Sequence, residues 1–328
     1  MSNWKVRIVS SGDNLPEGLL EDSFFHSSVL YQLFHSTPRH TPYMVIVEDD
    51  EKIISQMLAV VRYRSSWLPP YFYAHCRILS EGAYRLSDED AQSKEELFGM
   101  MLSALKSRLG RRVFFYEISN LSQKMFGYAE LKHNNFFAVK WMSIHNSLHS
   151  RKPEERVSER LLKRMSSAKK RGVEVSEVRT EADLKAFMRL LRHHHWLKPQ
   201  RYLPPNEFFR GIPATGNGRL FITRFHEHVI GCSALVYSSG QAYLWYSAFR
   251  RKSFVRLHPD EVTIWHAIKD SYNRGFQHIF FMNVGLPFRR SHFRDFILRF
   301  GGKPASTYRW FHVNIGWVNR FLSWIYRA

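Results

Sequence analysis

Two stretches 176 residues apart repeat one pattern, and that repeat constrains the fold more than any other feature of the chain. In the first, the β-rich runs 44–47 and 53–61 flank the polar hinge 48–52; in the second, 220–223 and 229–237 flank 224–228. Leu220 matches Met44, Ile230 matches Ile54 and Val236 matches Val60 at the same spacing, so each pair of runs reads as a β-hairpin. A second correspondence lies further on: the apolar run 114–118 with 280–284, and Asn134-Asn135 with Gly301-Gly302.

Helical periodicity precedes each of these later strands. The first helix is expected from Ser93, paired with Glu96 in a capping box, through Leu97, Met101 and Leu105 on one face, to Gly110. Its counterpart begins after Asp260, carries Val262, Trp265, Ile268 and Tyr272, and stops at Gly275. Each half therefore reads as helix, hairpin, third strand, helix, fourth strand, helix and closing strand, an α/β architecture with a mixed sheet, made twice. The expected domains are 1–150 and 151–328. The second is opened by a basic helix over about 158–171, stopped at Gly172, and closed by an aromatic helix.

The order of hairpin, further strand, helix and strand resembles the GNAT (acyl-CoA N-acyltransferase) core, and two such units in tandem resemble the Fem-like, peptidoglycan-bridge peptidyltransferase branch of that superfamily. Several short runs carry the likeness. Residues 164–173 look like that family's basic helix with a Lys-rich, Gly-stopped turn; 243–248 resemble its aromatic third strand; 280–285 its buried fourth strand; and Phe300-Gly301-Gly302 its late turn. Two positions depart from the pattern: Asn283 stands where the family usually has Asp, and Ile297 and Arg299 precede the late turn where it has Lys.

Composition narrows the partners. Lys plus Arg number 48 against 29 Asp plus Glu, a formal charge of +19, which favours anionic partners: nucleic acid, phosphorylated carriers or an anionic membrane face. Two cysteines, Cys76 and Cys232, indicate no disulfide framework, and the start of the sequence shows no signal peptide, so a cytoplasmic setting is expected. The aromatic tail 310–327 could lie in a bilayer interface as an amphipathic anchor; the plainer expectation is a last strand and helix docked on the body through an apolar face.

Acyl transfer to an amine needs a deprotonated acceptor, an aligned carbonyl and an oxyanion partner. As general base, Glu117 is the one carboxylate in its strand, where burial would raise its pKa; a structural partner for an arginine is the competing reading. Asn283 and Tyr246 complete the catalytic candidates. Gly285, Arg289, Arg290, Arg294 and Arg299, with Trp245, are candidates for binding an anionic substrate at the carboxyl end of a buried strand. Trp245 and Tyr246, as neighbours on a strand, should face opposite ways, so at most one lines the cleft.

For the donor's phosphates the resemblance implies a Gly-rich loop ahead of the second unit's main helix. The loop 249–259 contains no Gly, but Arg250, Arg251, Lys252 and Arg256 could bind phosphates through side chains. Arg160, Lys163, Arg164, Lys169, Lys170 and Arg171 on the basic helix could track a phosphate backbone. His193-His194-His195 cannot close on one metal ion, since adjacent helical residues point about 100° apart, and no metal is expected.

These readings imply an N-acyltransferase or aminoacyltransferase moving its group onto an amine of a cell-envelope precursor, with aminoacyl-tRNA or acyl-CoA as co-substrate and no bound cofactor. The alternatives are an acyl-CoA-dependent N-acetyltransferase acting on an amino sugar or metabolite, and a non-catalytic twin-GNAT protein binding nucleic acid or a membrane surface. Peripheral contact with the inner membrane face suits the charge, and the sequence leaves the oligomeric state open.

Overall fold

In the first hairpin, Asp50 and Glu51 both adopt positive φ (45° and 66°), a two-residue turn whose twist suits the strands it joins. The computed structural model describes residues 4–67, 70–86, 90–195, 202–282, 284–287 and 290–326, without the side chains of 66, 67, 70 and 195. Asn283 and Arg289 lie outside the described residues.

Chain order begins with β1 (Lys5–Ser10), α1 (Ser28–His35), β2 (His40–Asp49), β3 (Lys52–Trp67), β4 (Pro70–Ile78) and the short β5 (Ala83–Tyr84). There follow α2 (Ala91–Leu109), β6 (Phe115–Ile118), α3 (Tyr128–His133) and β7 (Phe137–Ser147). The second series is α4 (Glu159–Lys170), β8 (Val173–Glu177), α5 (Glu181–His195), α6 (Asn206–Ala214), β9 (Gly218–Phe225), β10 (His228–Ser238) and β11 (Gln241–Phe249). It ends with α7 (Pro259–Asn273), β12 (His278–Phe281), α8 (His292–Leu298), β13 (Lys303–Val313) and α9 (Gly316–Ile325).

The chain forms two compact units, Met1–Trp141 with Ser306–Ala328, and Met142–Ala305. Strand order in the first is β1-β2-β3-β4-β6-β13, and in the second β8-β9-β10-β11-β12-β7. In each, one parallel pairing, β4 with β6 or β11 with β12, sits within otherwise antiparallel neighbours. The repeat read from the sequence is thus a repeat of topology.

The closing strands are exchanged. β7 follows the first unit's last helix, but its residues Ile144–Ser147 pair with β12, while β13 follows the second unit and pairs through Trp310–Val313 with β6. A division at 150/151 therefore assigns the tail differently from the structure, because strand pairing rather than chain order decides where an edge is completed. The matched pairs Asn134-Asn135 and Gly301-Gly302 introduce these two strands, and Asn135 and Gly301 share the left-handed conformation (φ 62° and 80°).

Local expectations needed three corrections. α2 starts at Ala91 with Asp90 as N-cap, so Ser93 lies inside the first turn and does not cap it. α7 starts at Pro259 with Asp260 in its first turn, and its buried stripe is Ile264, Ala267, Ile268 and Ser271; Val262, Trp265 and Tyr272 are only half-buried. Close approach explains that rotation: a Cβ on Gly231 of β10 would stand 2.2 Å from Thr263 Oγ1, so small side chains face the sheet and large ones flank it. Thr263 itself is satisfied by Thr223 Oγ1 and Pro259 O, each at 2.6 Å.

The third correction concerns the tail. Trp310 is fully buried in β13, but α9 buries only Asn319 and leaves Trp317, Phe321 and Trp324 exposed, so this helix does not dock through its aromatic face. In the first unit the core joins α2 to one sheet face through Leu97, Met101 and Leu105. In the second, α4, α7 and α8 pack on one face of the sheet. No helix among the described residues is long and apolar enough to cross a membrane.

Candidate active site

Along β11, the ladder with β12 runs in parallel register from Gln241 to Leu244 and closes with Met282 N donating to Leu244 O at 3.3 Å. β11 continues to Phe249, whereas the other chain turns away, Gly285 O accepting from Met142 N at 3.3 Å. The two strands part here. A fork between parallel strands at their carboxyl ends is where α/β sheets open a ligand crevice.

The register of β11 against β10 shifts at this point: Ala234 faces Tyr246 and Leu235 faces Leu244, leaving Trp245 as the extra residue of a β-bulge. The bulge overturns the expectation of opposite facing. Trp245 meets Phe208 and Tyr246 meets Phe209, both on α6, at ring-centroid distances of 5.4 and 5.1 Å, and the two rings lie 6.0 Å apart. Both are buried. Gly285 has φ 96° with nothing within 4 Å of an added Cβ, so the backbone bend, not crowding, requires glycine there.

The arginines expected at the crevice divide. Arg294 donates Nη1 to Leu286 O at 2.8 Å, holding the loop after the fork. Arg290 and Arg299 are exposed.

Of the donor-phosphate candidates, Arg256 meets the basic helix. An open groove of about 630 Å³ is lined by Glu159, Arg160, Lys163, Arg164, Arg171, Arg256 and His258 among others. Arg171 Nη1 binds the carbonyl of Arg256 at 3.1 Å, tying the end of α4 to the loop before α7. Arg251 reaches Asp260 at 3.3 Å, Arg250 is half-buried and Lys252 exposed.

The start of α7 is occupied by the protein's own carboxylates. Asp260 and Glu261 are buried in its first turn, Arg164 Nη2 reaching Glu261 Oε1 at 2.9 Å and His258 Nδ1 lying 3.6 Å from Oε2. Burial raises the Glu261 pKa against the pull of Arg164, and Asp260 adds to the rise. Two acids at this helix N-terminus stand where a backbone cradle would hold pyrophosphate. The sequence held both halves of this groove but no signal that they meet.

Glu117 belongs to the first unit and has three basic neighbours there. Its carboxylate lies 3.1 Å from Arg309 Nη1, 3.8 Å from Arg77 Nε and 3.3 Å from His75 Nε2. Burial opposes its charge, but Arg77, His75 and Arg309 outweigh it and hold the carboxyl well below its ordinary range, the reverse of the raised pKa expected. Arg62 donates to His75 Nδ1 at 2.9 Å through Nε, and Arg309 stacks over Trp141 at 4.0 Å. Burial, then Arg62, bring the His75 pKa down to about 3. Sequence reading missed these partners, which come from four different strands.

Among the described residues no three His, Cys, Asp or Glu side chains converge as a metal site would require. Cys76 and Cys232 are buried, which pushes both thiols up.

Comparison with known proteins places this arrangement. Residues 156–290 match the family described as Acetyltransferase (GNAT) domain. FemX superposes with a TM-score of 0.63 at 11% identity, over 92% of this chain and 94% of that one. L-PGS from Bacillus licheniformis gives 0.55 at 8% identity (82% and 86%), and a tandem GNAT protein from the clavulanic acid biosynthesis pathway 0.53 at 8% (94% and 99%). No curated protein sequence matches the chain. Residues 156–290, within the second unit, are thus similar to a GNAT domain, and the chain as a whole shares its fold with FemX and with a tandem GNAT protein.

Proposed function

We propose that this acyltransferase takes its group from a polyanionic donor, an aminoacyl-tRNA, and passes it to an amine of a cell-envelope precursor at the fork between β11 and β12. The observation that carries the reading is the groove beside α7: Arg160, Lys163, Arg164, Arg171 and Arg256 line it, with no Gly-rich loop and with Asp260 and Glu261 in the helix's first turn. Side-chain cations suit a phosphate chain spread over many contacts, whereas an amide cradle suits one pyrophosphate. FemX and L-PGS share this fold.

At the fork, the edge of β11 beyond Leu244 is released from its ladder with β12 and offers backbone donors to a carbonyl oxygen. Exposed Arg290 and Arg299 are suited to an acceptor's phosphate or carboxylate. Tyr246, two residues past Leu244 on β11, is the side chain we assign to hold or return a proton. Asn283 and Arg289 keep the roles read from the sequence, as catalytic and anion-binding candidates.

A second reading has its own support. The parting of two parallel strands is also a slot for a thioester's extended arm, and the tandem GNAT relative's name mentions AcCoA. Titrating charged tRNA against rising salt decides between them. A tRNA user binds with a steep salt dependence; a protein stabilised against heat by acyl-CoA and indifferent to tRNA would overturn the first reading.

A further inference from the structure

The helix α9 is amphipathic in the wrong sense for a docked element. Its buried residue is Asn319, whose Oδ1 accepts from Val313 N at 2.9 Å and whose Nδ2 donates to Asn135 O at 3.0 Å. Trp317, Phe321 and Trp324, spaced i, i+4 and i+7 on one face, are 69%, 54% and 63% exposed. Polar bonds thus fix the helix with its apolar face outward, an arrangement that monomeric proteins in water avoid unless something covers it.

That face continues onto the strand ends of the same unit. Asn314 N donates to Phe114 O at 2.9 Å, and Phe114 is exposed; its ring lies 5.8 Å from Tyr73, which lies 5.7 Å from Tyr71. Asn314 Nδ2 also binds Gly110 O at 2.8 Å, which sets the exposed Arg111 and Arg112 beside the start of α9. Every segment supplying this edge is free of acids: no Asp or Glu occurs in 52–80, 97–116 or 296–328.

We propose that this aromatic, acid-free edge of the first unit seats the protein on the surface of an anionic phospholipid bilayer. Trp and Tyr favour the headgroup level, Phe and Ile enter the acyl boundary, and arginines attract anionic headgroups. Charge complementarity selects this partner over a second copy of the chain, whose equally basic edge would be repelled. The aliphatic Ile325 and the close-set helical face select it over RNA, which is gripped by flat aromatics with room to stack.

Vesicle co-sedimentation of the full chain tests the proposal, comparing phosphatidylcholine alone with phosphatidylcholine containing phosphatidylglycerol. The chain should bind the anionic vesicles, more weakly as salt rises. Replacing Trp317, Phe321 and Trp324 together by Ser should lower that binding by on the order of 100-fold, and Arg111→Ser with Arg112→Ser by roughly 5-fold per arginine. The melting temperature of each variant checks its fold. If the triple variant unfolds, quenching of native Trp fluorescence by brominated lipid replaces it, and unquenched emission overturns the proposal. So do equal binding to neutral and anionic vesicles, retained binding by a folded triple variant, loss of RNA binding in place of vesicle binding, or an α9-dependent dimer in solution.

Discussion

Arg164 on α4 closes on Glu261 in the first turn of α7 at 2.9 Å, so one ion pair joins the basic helix to the helix that borders the proposed donor groove. Glu261 is buried and Arg164 only half so, which makes the carboxylate dependent on its partner. Arg164→Ala should lower stability by about 2 kcal/mol and raise the Glu261 pKa further, seen as a melting temperature that falls more at pH 8 than at pH 5. Equal losses at both pH values would show that the carboxylate has another counter-charge.

Removing groove cations without touching that pair should act on binding alone. Lys163→Ser with Arg256→Ser should weaken tRNA binding and flatten its slope against log salt by roughly 1 to 2, with melting unchanged because both side chains are exposed. An unaltered slope would move the phosphate path elsewhere.

Acid should destabilise the first unit in two stages. Burial holds His75 to about 3 and His40 to about 4, both below the ordinary histidine value. Below about pH 6.5 the unfolded chain therefore binds protons that the folded chain refuses, and stability falls as pH drops, by up to ~1.4 kcal/mol per unit for each histidine. Glu117, with its pKa depressed, adds a further loss once pH passes below about 4.5. Chemical denaturation across pH 7 to 4 reads both, and His75→Gln should flatten the upper stage.

The same carboxylate separates scaffold from catalyst. Glu117→Gln should cost about 3 kcal/mol by leaving Arg309 and Arg77 without their counter-charge, while the pH dependence of acyl transfer keeps its shape. A lost acidic limb in that profile would restore Glu117 as the base.

Two glycines should respond differently to alanine. At Gly231 the added Cβ meets Thr263 Oγ1 at 2.2 Å and must push α7 off β10, whereas at Gly285 it meets open space and only the φ of 96° resists. Gly285→Ala should cost roughly 1 to 2 kcal/mol and Gly231→Ala more, compared by urea midpoints.

Much of this was readable in the chain. The hairpins at 44–61 and 220–237, the stop at Gly172 and the Leu97, Met101, Leu105 stripe appear as expected, since local periodicity and turn chemistry act within a few residues. The rotated face of α7 was not readable, because Gly231 and Thr263 stand far apart in sequence and meet only when packed.

What the sequence determined by itself is the duplicated order of strands and helices and a strong excess of basic over acidic side chains. Tertiary structure alone decided that β7 and β13 complete each other's halves, that Glu117 is ionised among cations from other strands, that two basic segments share one groove, and that α9 turns its aromatics outward. Each of these depends on which distant groups come within a few ångströms, and pairing, desolvation and charge coupling act at that range whatever the separation along the chain.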